Sequence, residues 1–208
     1  MDARFSELMG MHAGDGTIYR TNTGLVWELR GGLDEQEFYQ SYVSSLVRQC
    51  GLHRFRVGSR GKAYGVRSCN RPFIEHILEA GFPIGKKSRT LRTPRGILSA
   101  DSGIQAAFLR GLIATDGTTY LTRTNTECHA HYPIIECSSI SQQLLLEVNR
   151  MLSDLSITSY VWNSKHTSSR NPNPLWTLRI AGHQRTQRFI KTVGLSNPKM
   201  TLHTPDNL

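Results

Sequence analysis

The chain has 208 residues, of which 38% are hydrophobic and 20% charged, enough for one large or two small folded domains. Against 16 Asp and Glu stand 25 Lys and Arg, and the net charge of +9 favours a polyanionic partner through release of condensed counterions. No apolar run approaches the roughly 20 residues that span a bilayer, and Met1 to Gly10 lacks the basic-then-apolar order of a signal peptide. Cys50, Cys69, Cys128 and Cys137 form no CxxC pair, which excludes zinc-type clustering and predicts reduced thiols in an intracellular, soluble protein.

In chain order, the first predicted element is a helix that ends near Asp15, carried by Leu8-Met9-Gly10-Met11-His12-Ala13-Gly14-Asp15-Gly16. Strands are predicted over Thr17–Thr23 and Leu25–Arg30, where polar and apolar residues alternate. Asp34 is a candidate N-cap, with Glu37 at the capping-box position, for a helix with Phe38, Tyr42, Leu46 and Val47 on one side. Strands near His53–Gly58 and Ala63–Ser68 and a helix near Phe73–Ala80 follow. Gly85 to Ala100 holds Lys86, Lys87, Arg89, Arg92 and Arg95 and no acid, an extended linker able to lie along phosphates. Then the chain repeats itself: Leu109-Arg110-Gly111-Leu112-Ile113-Ala114-Thr115-Asp116-Gly117 returns on a helix capped by Asp101 or Ser102. Strands near Thr118–Thr124 and Pro133–Ser138 follow it. A helix from Ser141 carries Leu145, Val148 and Leu152, and two strands and a helix near Gln184–Val193 close the half. The endings also echo, Gly81 to Lys86 against Gly194 to Lys199, and the extra length of the second half is placed at Asn163 to Pro174.

The fold class implied is α+β, with pseudo-symmetric αββαββα halves at 1–84 and 101–208 joined by a basic linker at 85–100. In each motif, small residues four apart (Gly10 and Gly14, Gly111 and Thr115) leave a flat stripe on which two helices approach almost backbone to backbone. Packed that way, the helices bring Asp15 and Asp116 together at the base of their interface, where two carboxylates repel unless a cation lies between them. Gly16 and Gly117 suit a left-handed turn that ends a helix. His12 reads as a packing residue.

The two motifs, the αββαββα halves and the Gly–Lys endings resemble the LAGLIDADG homing endonuclease family, in its single-chain, two-motif form. L-M-G-M-H-A-G-D-G is a worn copy of the family motif and L-R-G-L-I-A-T-D-G a close one, with Ala13 and Ala114 in place of the motif's first acid. The resemblance implies a monomeric, intron-encoded enzyme that cuts both strands of a long, asymmetric DNA target and leaves short 3′ overhangs. It implies Mg²⁺, with Mn²⁺ or Ca²⁺ able to substitute in binding, held by Asp15 and Asp116 and by the backbone carbonyls of Gly14 and Thr115. It also implies two four-stranded sheets forming a saddle on the duplex. Strand alternation then turns Tyr19, Thr21, Thr23, Val26, Glu28, Arg30, Arg54, Arg56 and Arg67 to the DNA. In the second half it turns Tyr120, Thr122, Thr124, Thr177 and Arg179 the same way, while Lys86, Lys87 and Arg89 reach phosphates from the linker. Arg67 and Arg179 hold matching places late in each half, where the family sets a basic group, usually Lys, beside the cleavage centre. Two other functions stay open on the sequence: an RNA-binding intron maturase, and a DNA-binding regulator that has lost catalysis. Both motif acids are present, which speaks against the second. An intein origin is disfavoured, because the chain begins with Met and ends without splicing-junction residues.

Overall fold

The computed structural model describes residues 2–86, 89–123, 131–164 and 174–200. Helix α1 (Ala3–Gly14) starts where the Asp2 carboxylate accepts the Phe5 N–H at 2.8 Å, satisfying one of the first turn's orphan donors. Strands β1 (Gly16–Thr21) and β2 (Gly24–Gly32) pair antiparallel from Gly16↔Leu29 to Thr21↔Gly24. Asn22 and Thr23 therefore form a two-residue turn, and the strand expected to reach Thr23 stops at Thr21. Gly24, at φ +133, supplies the backbone conformation that lets the hairpin close.

Helix α2 (33–49) corrects two expectations. Its N-cap is Gly32 rather than Asp34, and Glu35 rather than Glu37 reaches back to accept the Gly32 N–H at 2.7 Å. A π turn over Tyr39–Val43 then widens the helix. Tyr39 and Val43 become buried and Tyr42, expected inside, is left 37% exposed. Phe38, Leu46 and Val47 are buried as predicted. Strands β3 (Arg56–Arg60) and β4 (Ala63–Ser68) form the second hairpin, and α3 (Arg71–Glu79), capped by Asn70, completes the half. Arg54 precedes β3 rather than lying on it, since its carbonyl accepts the Ser68 hydroxyl at 2.6 Å.

The linker is not extended throughout. It contains α4 (Arg95–Leu98), and Leu91, Thr93 and Ile97 are buried. Thr93 N–H donates to Glu147 Oε2 at 2.8 Å and the Leu91 carbonyl accepts from Ser141 Oγ at 2.6 Å, which docks the linker on the second half. Helix α5 (Ser102–Asp116) is capped by Asp101. It is followed by β5 (Gly117–Arg123), β6 (His131–Ser139), α6 (Gln142–Asp154), β7 (Tyr160–Ser164), β8 (Leu175–Ala181) and α7 (His183–Thr192). The sheets have equivalent orders, β1-β2-β4-β3 and β5-β6-β8-β7. Pairing also divides the extra length of the second half. Arg123↔His131 and Ser164↔Leu175 stand against Thr21↔Gly24 and Arg60↔Ala63, so both hairpins have grown, not only the one around Asn163 to Pro174.

Each sheet lays one face on helices. Ile18, Trp27, Leu29 and Val66 are buried under one, and Ile135, Cys137, Leu178 and Ile180 under the other. The core is continuous across both halves because α1 and α5 run through its middle, with Leu8, Met9 and Met11 and Leu109, Leu112 and Ile113 buried. The architecture is the α+β pair of αββαββα halves expected. Among the described residues no helix is long and apolar enough to cross a membrane.

Candidate active site

The small residues of the two motifs let α1 and α5 meet at their backbones. A Cβ added at Gly10 would strike the Phe108 carbonyl oxygen and stand 2.7 Å from Leu112 N; one at Gly111 would strike the Glu7 carbonyl oxygen and stand 2.9 Å from Met11 N. At Gly14 a Cβ would meet the Thr115 hydroxyl and lie 3.1 Å from the Asp116 carboxyl carbon. Asp116 therefore rests against the residue that precedes Asp15, and the acids share the base of the helix interface. The other end is locked by charge. Buried Glu7 accepts from Arg110 Nη2 at 2.6 Å and from Tyr42 at 2.7 Å, while Arg110 Nη1 donates to the Val193 carbonyl at 3.0 Å.

The glycines after the acids differ from expectation. Gly16 and Gly117 both open strands, and Gly117 is extended at φ −84, ψ 161. Each is required because the strand passes close under the last helical turn: a Cβ would hit the His12 ring at Gly16 and the Ile113 carbonyl at Gly117. His12 is a packing residue as read. It is buried, accepts from Trp27 Nε1 at 3.1 Å and meets Phe82 edge-on.

Three residues that sequence reasoning did not assign to the site surround the acids. Tyr39 donates its hydroxyl to Asp15 Oδ2 at 3.4 Å. Burial first, then the charges of Asp15 and Glu35 and, more weakly, of Asp116, hold the Tyr39 phenol far above its usual range, so it stays a donor. Asn197 Nδ2 donates both to Glu35 Oε1 at 2.7 Å and to the Ala114 carbonyl at 2.8 Å, bridging the two halves. Lys199 holds Asp34 at 2.7 Å. That hydrogen bond first, then the charges of Glu35, Asp34 and Asp15, keep its ammonium protonated. The echoed endings were the available signal for this strap; the contact of Tyr39 with Asp15 left none.

Gly14, Asp15, Thr17, Arg30, Gly85 and Lys86 line one open cleft. Arg30 and Lys86 thus share a cleft with Asp15. Arg67 and Arg179 stand on β4 and β8, each separated by a strand from the one that follows a motif acid. Among the described residues no three His, Cys, Asp or Glu side chains gather as a metal cage. Two carboxylates with neighbouring backbone carbonyls fit a hard cation such as Mg²⁺, which takes one or two carboxylates and completes its shell with water and phosphate oxygens. They do not fit the closed nitrogen and sulfur sets of structural zinc.

Register fixes which side chains occupy the face away from the helices. Thr17↔Glu28↔Arg67↔Arg56 form one row across the first sheet, and Thr118↔Glu136↔Arg179↔Tyr160 form its counterpart. Tyr19, Thr21 and Arg30, and Tyr120 and Thr122, lie on the same faces, as alternation predicted. Three expected contacts are covered. Glu28 is 4% exposed beneath Arg30 and Arg60, Thr177 is 5% exposed between the hydroxyls of Ser138 and Ser164, and Val26 is buried opposite Tyr19. Thr23 is exposed in the turn, Arg54 beside β3, and Lys86 and Arg89 in the linker; Lys87 and Thr124 lie outside the described residues.

Residues 103–194 match the family model described as a LAGLIDADG-like domain. Among solved structures, mesophilic variants of the homing endonuclease I-DmoI superpose with a TM-score of 0.66 at 14% identity, over 99% of this chain and 95% of that one. I-DmoI in complex with DNA and Ca gives a TM-score of 0.66 at 14% identity over 99% and 95%. The N-terminal LAGLIDADG domain of DUF199/WhiA gives 0.53 at 15% identity, over 93% of this chain and 83% of that one. No curated protein matches by sequence. The family resemblance is thus borne out in the second half by the family match, and the expected fold is borne out across the chain.

Proposed function

We propose that this protein is a two-motif LAGLIDADG chain and a site-specific, divalent-metal-dependent endonuclease that cuts both strands of an asymmetric DNA target and leaves short 3′ overhangs. The observation that carries this is the meeting of Asp15 and Asp116 at the base of the α1–α5 interface, below two sheets whose outer faces bear Arg30, Arg56, Arg60, Arg67 and Arg179. I-DmoI, of the same fold, has been solved with its target DNA and Mg, and with DNA and Ca or Mn. Halves 1–84 and 101–208 each take one half-site.

Asp15 and Asp116, with the carbonyls of Gly14 and Thr115, are the metal-holding groups, and Mg²⁺ bound there supplies Lewis acidity and a water of lowered pKa. Tyr39 fixes the orientation of the Asp15 carboxylate. Arg30 and Lys86 offset the scissile phosphate's charge as it nears two acids. Asn197 and Lys199 hold α2, and with it Tyr39, in place against the second half.

Duplex affinity should fall steeply with salt. Each neutralised phosphate contributes about 0.9 to the slope of log K against log salt, so about six contacts imply roughly a 10³-fold loss between 50 and 200 mM. Fluorescence anisotropy on duplex DNA checks this, and a flat response would sink the saddle arrangement. Sedimentation of the complex should find one chain per site, because the unequal hairpins leave no equivalent role for a second copy.

A further inference from the structure

Resting on the nuclease reading above, we propose that Arg179 is a specificity-determining residue that reads a guanine in the half-site under the second sheet. Leu178 and Ile180 point into the core, so Arg179 stands on the outer face with its side chain 36% exposed. It is held on three sides. Its Nε donates to Glu136 Oε1, its Nη2 donates to the Tyr120 hydroxyl at 3.2 Å, and its guanidinium lies 4.8 Å over the Trp162 ring. Glu136 and Tyr120 together occupy the Nε–Nη2 edge of the planar fork. The outer Nη1–Nη2 edge has no acceptor among the described residues, and the side chain is partly exposed. Two parallel N–H groups on one rigid edge match guanine O6 and N7, the commonest base-specific contact in the major groove. A guanidinium fixed in advance loses little freedom on binding, which favours discrimination over general attraction.

The first half lacks this arrangement although the register is the same. Arg67 faces Glu28 as Arg179 faces Glu136, yet Glu28 is engaged by Arg30 Nε at 3.6 Å and by Arg60 Nη1 at 3.5 Å. Arg60 spends Nη1 on both Glu28 and Tyr19, and its side chain is 60% exposed. The asymmetry assigns guanine reading to Arg179 and phosphate attraction to the first sheet's arginines.

The test is selection of bound duplexes from a randomised library, in EDTA so that nothing is cut, followed by sequencing. The wild type should select one G·C pair in the second half-site. R179K keeps the charge and removes the fork, so preference at that pair should fall about ten- to hundredfold while affinity for unselected duplex stays within a few-fold. R56A should weaken binding about equally at all positions. If R179K melts early, Y120F carries the test, because it keeps guanidinium and carboxylate and frees one donor; several-fold lower selectivity at that pair is expected, and unchanged selectivity overturns the proposal. A uniform loss in R179K, or a defined target without that guanine, overturns the role of Arg179 alone. Failure of the wild type to select any sequence overturns the nuclease reading with it.

Discussion

Gly111→Val should lower stability by about 3–5 kcal/mol, which for a chain of this size is on the order of 10 °C in Tm. The obstacle is backbone: the new Cβ overlaps the Glu7 carbonyl and crowds Met11 N, and neither can rotate away as a side chain would. α1 and α5 must separate along their whole contact, opening gaps around buried Leu8, Met11, Leu112 and Ile113 and pulling Arg110 off Glu7. Losing a partner from a buried pair leaves a desolvated charge behind. Gly96→Ala is the control. Its Cβ meets nothing within 4 Å, and the change should stay within about 0.5 kcal/mol of wild type. Thermal or urea unfolding distinguishes them; a near-native Gly111→Val would mean that the helices do not pack along the glycine stripe.

Asp15→Asn and Asp116→Asn should each leave the fold and DNA affinity intact while double-strand cleavage falls about 10³-fold or more. Each amide fills the space of its carboxylate but gives up the charge that holds a hard cation, and metal stabilisation of a phosphoryl transition state is worth several kcal/mol. Without metal the acids repel one another, so either change should stabilise the metal-free protein slightly, and duplex affinity in EDTA should hold or rise. Because Asp116 lies against Gly14, the centres adjoin, and silencing of both strands by one substitution is the expected pattern. Conversion of each variant into a strand-specific nickase would mean independent centres. Near wild-type cutting by either would remove the acids from the chemistry.

The parts legible in the sequence were those that a local repeat encodes. Gly10 and Gly111 announced a close helix contact because only the smallest side chain permits one, and alternation through Ile18, Trp27 and Leu29 fixed which sheet face is core. What stayed hidden depends on long-range contact or on a change of helical period. The π turn at Tyr39–Val43 puts Val43 rather than Tyr42 inside, and no 3.6-residue pattern predicts that; Tyr39 meets Asp15 through a long-range contact. Asn197 reaches Glu35 across the whole chain. Glu28 alternates outward as expected, but arginines from its own strand and from β3 cover it, and alternation says nothing about what lies above a sheet. The linker looked free by charge, yet Leu91 and Ile97 were already its anchors.

The most direct measurement is to incubate wild-type protein and the Asp15→Asn, Asp116→Asn double variant with a randomised duplex library, with Mg²⁺ and with EDTA, and to sequence every DNA end produced. The expected result is paired, staggered ends with 3′ overhangs at one defined sequence, formed only by the wild type and only with Mg²⁺. Ends that persist in the double variant or in EDTA, or none above background from the wild type, would contradict a metal-dependent nuclease centred on these two acids.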